Sequence, residues 1–163
     1  MKQSTDVILA VDLDGSLTFA DTLHESLVKL LRQYPLKVFV LPFWLLAGKA
    51  AFKAKVADHV ALAPQTLPYN QALIAWLKTQ RQAGRKLVLC TASDQRIASS
   101  VSDYVNCFDE VIASDGTLNN AGKTKRAILE AKYGFRGYDY VGNAKTDVKV
   151  WAGARRAIVV SRD

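Results

Sequence analysis

Residues 7–11, Val-Ile-Leu-Ala-Val, form an unbroken apolar run that ends in Asp12-Leu13-Asp14-Gly15. A continuous run of this length suits a strand buried on both faces of a parallel sheet, with the two carboxylates just past its C-terminal end. After residue 70 the pattern alternates. Apolar positions 73, 74, 76 and 77 predict a helix over 70–83 closed by Gly84, and 86–90 reads as a buried strand. Helices follow over 94–105, about 123–133 and 146–154, with strands at 110–113, 138–141 and 157–160.

Strands alternating with helices of this length predict right-handed crossovers and an α/β, three-layer, Rossmann-like parallel sheet. Residues 21–66 break the rhythm. They read as helices over 22–32, 36–47 and 49–61, a small helical cap inserted after the first strand and hanging over the carboxyl ends of the sheet. The expected division is a core of residues 1–20 and 67–163 and a cap of 21–66.

With 163 residues, half of them hydrophobic, the chain can bury one substantial core, and no linker-like stretch divides it. Cys90 and Cys107 are too few for a disulfide framework, which fits a reducing cytoplasm. No secretory leader is read before the first strand. The longest uncharged apolar stretch, 38–48, contains Pro42 and falls short of the ~20 residues that cross a bilayer. His24 and His59 lie in no Cys/His cluster, so the available metal ligands are hard oxygens. A net charge of +7 favours anionic partners without choosing among them.

Two carboxylates as close as Asp12 and Asp14 repel unless a cation neutralises them or one changes protonation state during a reaction, and both needs point to metal-assisted phosphoryl transfer. Bonds from an Asx-type turn to nearby amides are the simpler alternative. Three further places suit the same pocket. Thr91, with Ala92 after it, ends the second core strand and can offer a hydroxyl and backbone amides to a phosphate oxygen. Lys125 opens a helix, and Asn143 and Asp147 follow the fourth core strand. Each has an ordinary structural role open to it, as a helix-start residue, a surface lysine or a first-turn acid.

Taken together and in order, these segments resemble the four motifs of the haloacid dehalogenase superfamily: residues 12–18, Thr91, Lys125 and 143–147. The resemblance covers most of the chain. It implies a core with a cap like that of the phosphoserine-phosphatase branch, Asp12 as nucleophile, Asp14 as acid and base, Thr91, Ala92 and Lys125 as phosphate ligands, and Mg²⁺ held by Asp12, Asp14, Asn143 and Asp147. Lys123 is the rival to Lys125; the latter places Ile128 and Leu129 three and four residues into its helix. Asn143 stands where most of the superfamily has an acid, which puts metal affinity and rate in question more than reaction type.

More narrowly, residues 24–27, 41–44 and 67–70 resemble the phosphatase-like domain fused to UbiA-type membrane prenyltransferases. The expected activity is a Mg²⁺-dependent phosphomonoester hydrolase acting on a phosphosugar or a lipid-linked phosphate; the alternative is a catalytically weak phospho-ligand-binding or regulatory domain of such a prenyltransferase. Expected partners are a small phosphorylated substrate and that enzyme or the inner face of the membrane, with no nucleic acid. Phe39, Phe43, Trp44 and Phe52, interleaved with Lys37, Lys49, Lys53 and Lys55, form either an amphipathic membrane face or a plain cap core. Trp76 and Trp151 are read as core, and His24 and His59 as structural or cap-surface residues, His24 being the nearer of the two to the pocket.

Overall fold

The computed structural model describes residues 7–143 and 145–161. Ala144, inside the fourth motif, and the chain ends at 1–6 and 162–163 lie outside them. Five strands, β1 (Ile8–Val11), β2 (Leu87–Asp94), β3 (Glu110–Ser114), β4 (Tyr138–Gly142) and β5 (Arg156–Val159), form one parallel sheet in the order β3-β2-β1-β4-β5. β1 is therefore central. The strand order reverses between β1 and β4, which opens a crevice beyond their carboxyl ends.

The pleat of β1 divides the core. Leu9 and Val11 face one layer, where α4 (Gln71–Gln82) supplies Leu73 and Leu77 and α5 (Gln95–Val105) supplies Ala98 and Val101. Ala10 faces the other, against Leu129 of α6 (Gly122–Tyr133), Val150 of α7 (Val148–Trp151) and the buried rings of Tyr138 and Tyr140. Trp76 and Trp151 pack at the margins of these two layers as expected. Asn70 and Asp94 cap α4 and α5 by accepting from the amides of Leu73 and Arg96.

Between β1 and α4 lie α1 (Thr22–Gln33), α2 (Leu41–Leu46) and α3 (Lys49–His59), with a small core of their own around Leu30, Phe52, Val56 and Val60. Arg96 ties α3 to the sheet side, donating to Asp58 at 2.5 Å and to the Ala54 carbonyl at 2.8 Å. The single helix expected over 36–47 is instead a 3-10 turn, Pro35–Phe39, followed by α2. Pro42 is the reason: without an N–H it fits only the first turn of a new helix. The helix expected over 146–154 is likewise a 3-10 turn, Lys145–Asp147, running into the short α7.

The expected aromatic face is also redrawn. Phe52 is buried and Trp44 half-buried in the α1–α3 core, and Lys53 turns inward toward the end of β2. Phe39 and Phe43 do stand exposed, in company with Leu36, Leu45 and Leu46.

Candidate active site

β1 delivers Asp12 to the crevice, where its amide donates to the Val141 carbonyl of β4 at 2.9 Å. The chain then turns sharply through Gly15, whose φ of +80° is open to glycine, and a Cβ there would meet Asn143 Nδ2 at 2.3 Å. The backbone thus calls for glycine, and the Asn143 side chain packs into the space its missing Cβ leaves. On the far side of the crevice Gly142 leaves room for Asp147, since a Cβ would meet its carboxylate at 2.7 Å.

Asp12, Lys125, Tyr140 and Asp147 form one buried network. Lys125 donates to Asp12 Oδ1 at 2.7 Å and to the Tyr140 hydroxyl at 2.8 Å; that hydroxyl donates to Asp147 Oδ1 at 3.0 Å, and Asp147 Oδ2 accepts the Asn143 amide at 3.0 Å. Burial pushes the Asp12 carboxyl up to about 6; Lys125 pulls the other way, and the charges of Asp147 and Asp14 push it further up. Burial also opposes the charge of Lys125, but the attraction of Asp12 outweighs it and holds the ammonium above its ordinary range. Tyr140, with its hydroxyl sealed from water beside Asp12 and Asp147, is driven well above the usual phenol range and stays a donor.

Asp14 points elsewhere. Its Oδ1 accepts the Thr22 amide at 2.7 Å and its Oδ2 accepts the Ser93 hydroxyl at 2.6 Å, while the hydroxyls of Thr22 and Ser93 lie 2.7 Å apart. The first residue of α1 and the end of β2 therefore fix this carboxylate between them. Thr91 is fully buried on β2, its hydroxyl oxygen accepting the Ser93 amide at 3.0 Å. Half-buried Ala92 offers its carbonyl to Lys53 at 2.6 Å and to Ser114 at 2.8 Å. Lys53 also donates to Asn119 at 2.9 Å, and burial lowers the pKa of its amine against the pull of Asp14. It lines a cleft with Thr22, Leu23, Ser26, Ser93 and Ile97.

Of the residues expected from sequence, Asp12 and Lys125 meet directly and Asp147 joins them through the Tyr140 hydroxyl, Asp14 lies two residues past Asp12 on its own ligands, and Asn143 sits over the turn, accepting a 3.4 Å bond from the Ser16 hydroxyl. Lys123 is exposed, which removes it as a rival. His24 is exposed at the start of α1, and His59 stacks near Trp44, so neither enters the crevice. Ser93, Thr22, Tyr140 and Lys53 were not anticipated. Ser93 alone carried a signal: two residues after Thr91 on a strand, it shares that residue's face.

The oxygens gathered here fit Mg²⁺. Among the described residues no three His, Cys, Asp or Glu side chains form a metal cage, yet Mg²⁺ takes one or two carboxylates and completes its shell with water and phosphate oxygens. Asp12 and Asp147 provide those carboxylates. Burial and neighbouring acids raise Asp12, the situation a divalent cation relieves. With its side chain engaged by Thr22 and Ser93, Asp14 has its main-chain carbonyl to offer, and Asn143 adds an amide oxygen nearby.

This sheet order, with helices inserted after the central strand, is the fold of the haloacid dehalogenase-type phosphatases. The chain is similar to a substrate-bound phosphoserine phosphatase, with a TM-score of 0.67 at 12% identity over 96% of this chain and 87% of that one. A phospho-aspartyl intermediate analogue of phosphoserine phosphatase gives 0.63 at 14% over the same shares, and the L-2-haloacid dehalogenase RSc1362 gives 0.58 at 15% over 94% and 86%. At these identities the likeness is one of fold. No protein-family model matches the chain. In sequence it is 33% identical over 153 residues to the uncharacterized protein y4nM of Sinorhizobium fredii (strain NBRC 101917 / NGR234), covering 93% of this chain but only 29% of that protein. The chain thus spans less than a third of this curated relative.

Proposed function

We propose that the chain is a Mg²⁺-dependent phosphomonoester hydrolase that works through an aspartyl-phosphate. The observation that carries this reading is the buried Asp12–Lys125–Tyr140–Asp147 network at the point where the strand order reverses. Asp12 attacks phosphorus and the bond from phosphorus to the ester oxygen breaks, with Asp14 giving that oxygen its proton. Asp14 then takes a proton from water, which attacks the same phosphorus and returns Asp12 as a carboxylate with release of phosphate.

Lys125 stays cationic through both steps and answers the charge on the equatorial oxygens, together with the chain around Thr91 and Ala92 at the end of β2. The Asp12 and Asp147 carboxylates, the Asp14 carbonyl and Asn143 would hold Mg²⁺, which would supply the positive charge that lets one anion approach another. The helices over 22–59 act as a cap, since Thr22 and Lys53 bring them onto Asp14 and β2. Lys53, in its cleft, faces the leaving group, which favours a substrate with a second anionic or strongly accepting group.

Turnover of small phosphomonoesters, lost on adding a chelator and restored by Mg²⁺, tests this reading. Asn143 favours a second one: lacking the charge of an acid, it suits a phospho-ligand-binding or regulatory domain within a longer protein, and such a domain would bind phosphate without turning over any ester.

A further inference from the structure

Of the thirteen large apolar side chains exposed among the described residues, six, Leu36, Val38, Phe39, Phe43, Leu45 and Leu46, fall within eleven consecutive positions. Leu36 and Leu46 are 78% and 84% exposed, and Phe39 and Phe43 about as open at 71% and 70%. Scattered apolar residues on a surface need no explanation, but a concentrated patch does. The backbone here keeps it outward. The 3-10 turn Pro35–Phe39 buries no residue fully, and neither does α2, which leans on the core beneath it through half-buried Leu41 and Trp44 and leaves its other apolar side chains outward.

The charge along the segment that carries the patch has one sign. From Ser26 to Ala57 the chain contains six lysines and arginines and no aspartate or glutamate. Lys53 is turned inward; Arg32 stands exposed two residues before Tyr34, Lys49 stands exposed three residues after Leu46, and Lys37 lies 5.4 Å from the centre of the Trp44 ring. Trp44 itself is half-buried at the patch margin, its ring 5.0 Å from that of His59. A partner protein could cover the apolar residues, but the basic side chains that flank them along this segment are complementary to an acidic lipid surface, where apolar insertion and charge attraction act together.

We propose that residues 32–49 form a peripheral docking surface for an anionic bilayer, with Leu36, Phe39, Phe43 and Leu46 entering the headgroup boundary and Arg32, Lys37 and Lys49 meeting the lipid charges. No helix among the described residues is long and apolar enough to cross a membrane, so the contact is one of lying on the surface. The cap carries this surface, and Lys53 and Thr22 carry the same cap onto the catalytic crevice, so docking places the crevice beside the lipid. The proposal stands whether or not the crevice hydrolyses esters.

Cosedimentation of the whole chain with vesicles of phosphatidylcholine alone, and of phosphatidylcholine with 30% phosphatidylglycerol, tests it. Binding to the acidic vesicles at least tenfold stronger than to the neutral ones, and weakened severalfold between 50 and 500 mM NaCl, is expected. F39S/F43S should abolish it, and K37E/K49E should cut it by tenfold or more; thermal melting of each variant should match the parent, since three of the four side chains are exposed and Lys37 forms no ion pair among the described residues. Equal or absent binding to the two vesicles would overturn the proposal, as would binding that survives both variants. So would a dimer in sedimentation velocity that F39S/F43S dissolves while vesicles stay unbound, because the occupant would then be a second copy.

Discussion

The Ser93 hydroxyl donates to Asp14 Oδ2 at 2.6 Å. With the Thr22 amide on Oδ1, it holds the proposed acid between the second strand and the first inserted helix, so one carboxylate senses both the core and the cap. If Asp14 moves the proton of the leaving group, its effect depends on how much help that group needs. Asp14→Asn should lower turnover by about 10²- to 10⁴-fold, and more for an alkyl phosphate than for nitrophenyl phosphate. Ser93→Ala should show the same ordering in milder form. Losses independent of leaving-group pKa would contradict both roles.

Lys53 reaches the crevice from α3 and, in the proposed function, meets the part of the substrate that differs between esters. Lys53→Met should raise KM for esters whose leaving group carries a carboxylate or a second phosphate, by about tenfold. Nitrophenyl phosphate, which lacks such a group, should be nearly unaffected. A fall in kcat shared equally by all esters would mean that Lys53 shapes the crevice and reads nothing.

Asn143 receives the Ser16 hydroxyl and touches the Gly15 turn, which places its side chain at the edge of the oxygens that fit Mg²⁺. Asn143→Asp adds a negative charge there and should tighten Mg²⁺ binding severalfold in titrations of rate against metal. Affinity that is unchanged or weaker would put Asn143 outside the reach of the metal.

Stability depends on a different carboxylate. Asp139, almost fully buried on β4, accepts from Arg85 at 2.5 Å and from Arg155 at 2.7 and 2.8 Å. Burial opposes its charge, but the bonds from Arg155 and Arg85 outweigh that and hold the carboxyl below its ordinary range. Its contribution is then present above the unfolded aspartate value near 4 and is lost as pH falls through the lower folded value. Asp139→Ala should cost about 3–5 kcal/mol at pH 7, because it leaves Arg85 buried without its carboxylate. Denaturant unfolding at a series of pH values checks this: the gap between parent and variant should narrow only below about pH 4.

The centre of the sheet was legible because β1 and β2 are buried on both faces, so Val7–Val11 and Leu87–Cys90 read as continuous apolar runs that local chemistry cannot disguise. Asp12, Lys125 and Asp147 were legible for a related reason: each stands at a strand end or helix start, where position in the element limits what the side chain can reach. Tyr140 was hidden because a tyrosine inside an apolar strand reads as core, and only the facing of Lys125 and Asp147 gives its hydroxyl a part. Lys53 was hidden by its neighbours. In a run of Lys49, Lys53 and Lys55 every lysine looks solvated, and the burial of Phe52 and Val56 on the same helix decides which one turns inward. The break at Pro42 was a local signal in the sequence, and the exposed patch lies on the two elements on either side of it.

The central claim is that Asp12 carries the phosphoryl group. Acid quenching of the Mg²⁺-loaded protein with a ³²P-labelled phosphomonoester in the first turnover should leave label on the peptide containing Asp12, removable by hydroxylamine as an acyl phosphate is. Asp12→Asn should show neither label nor turnover while melting like the parent. An unlabelled protein, together with an Asp12→Asn variant within tenfold of the parent's activity, would contradict the account.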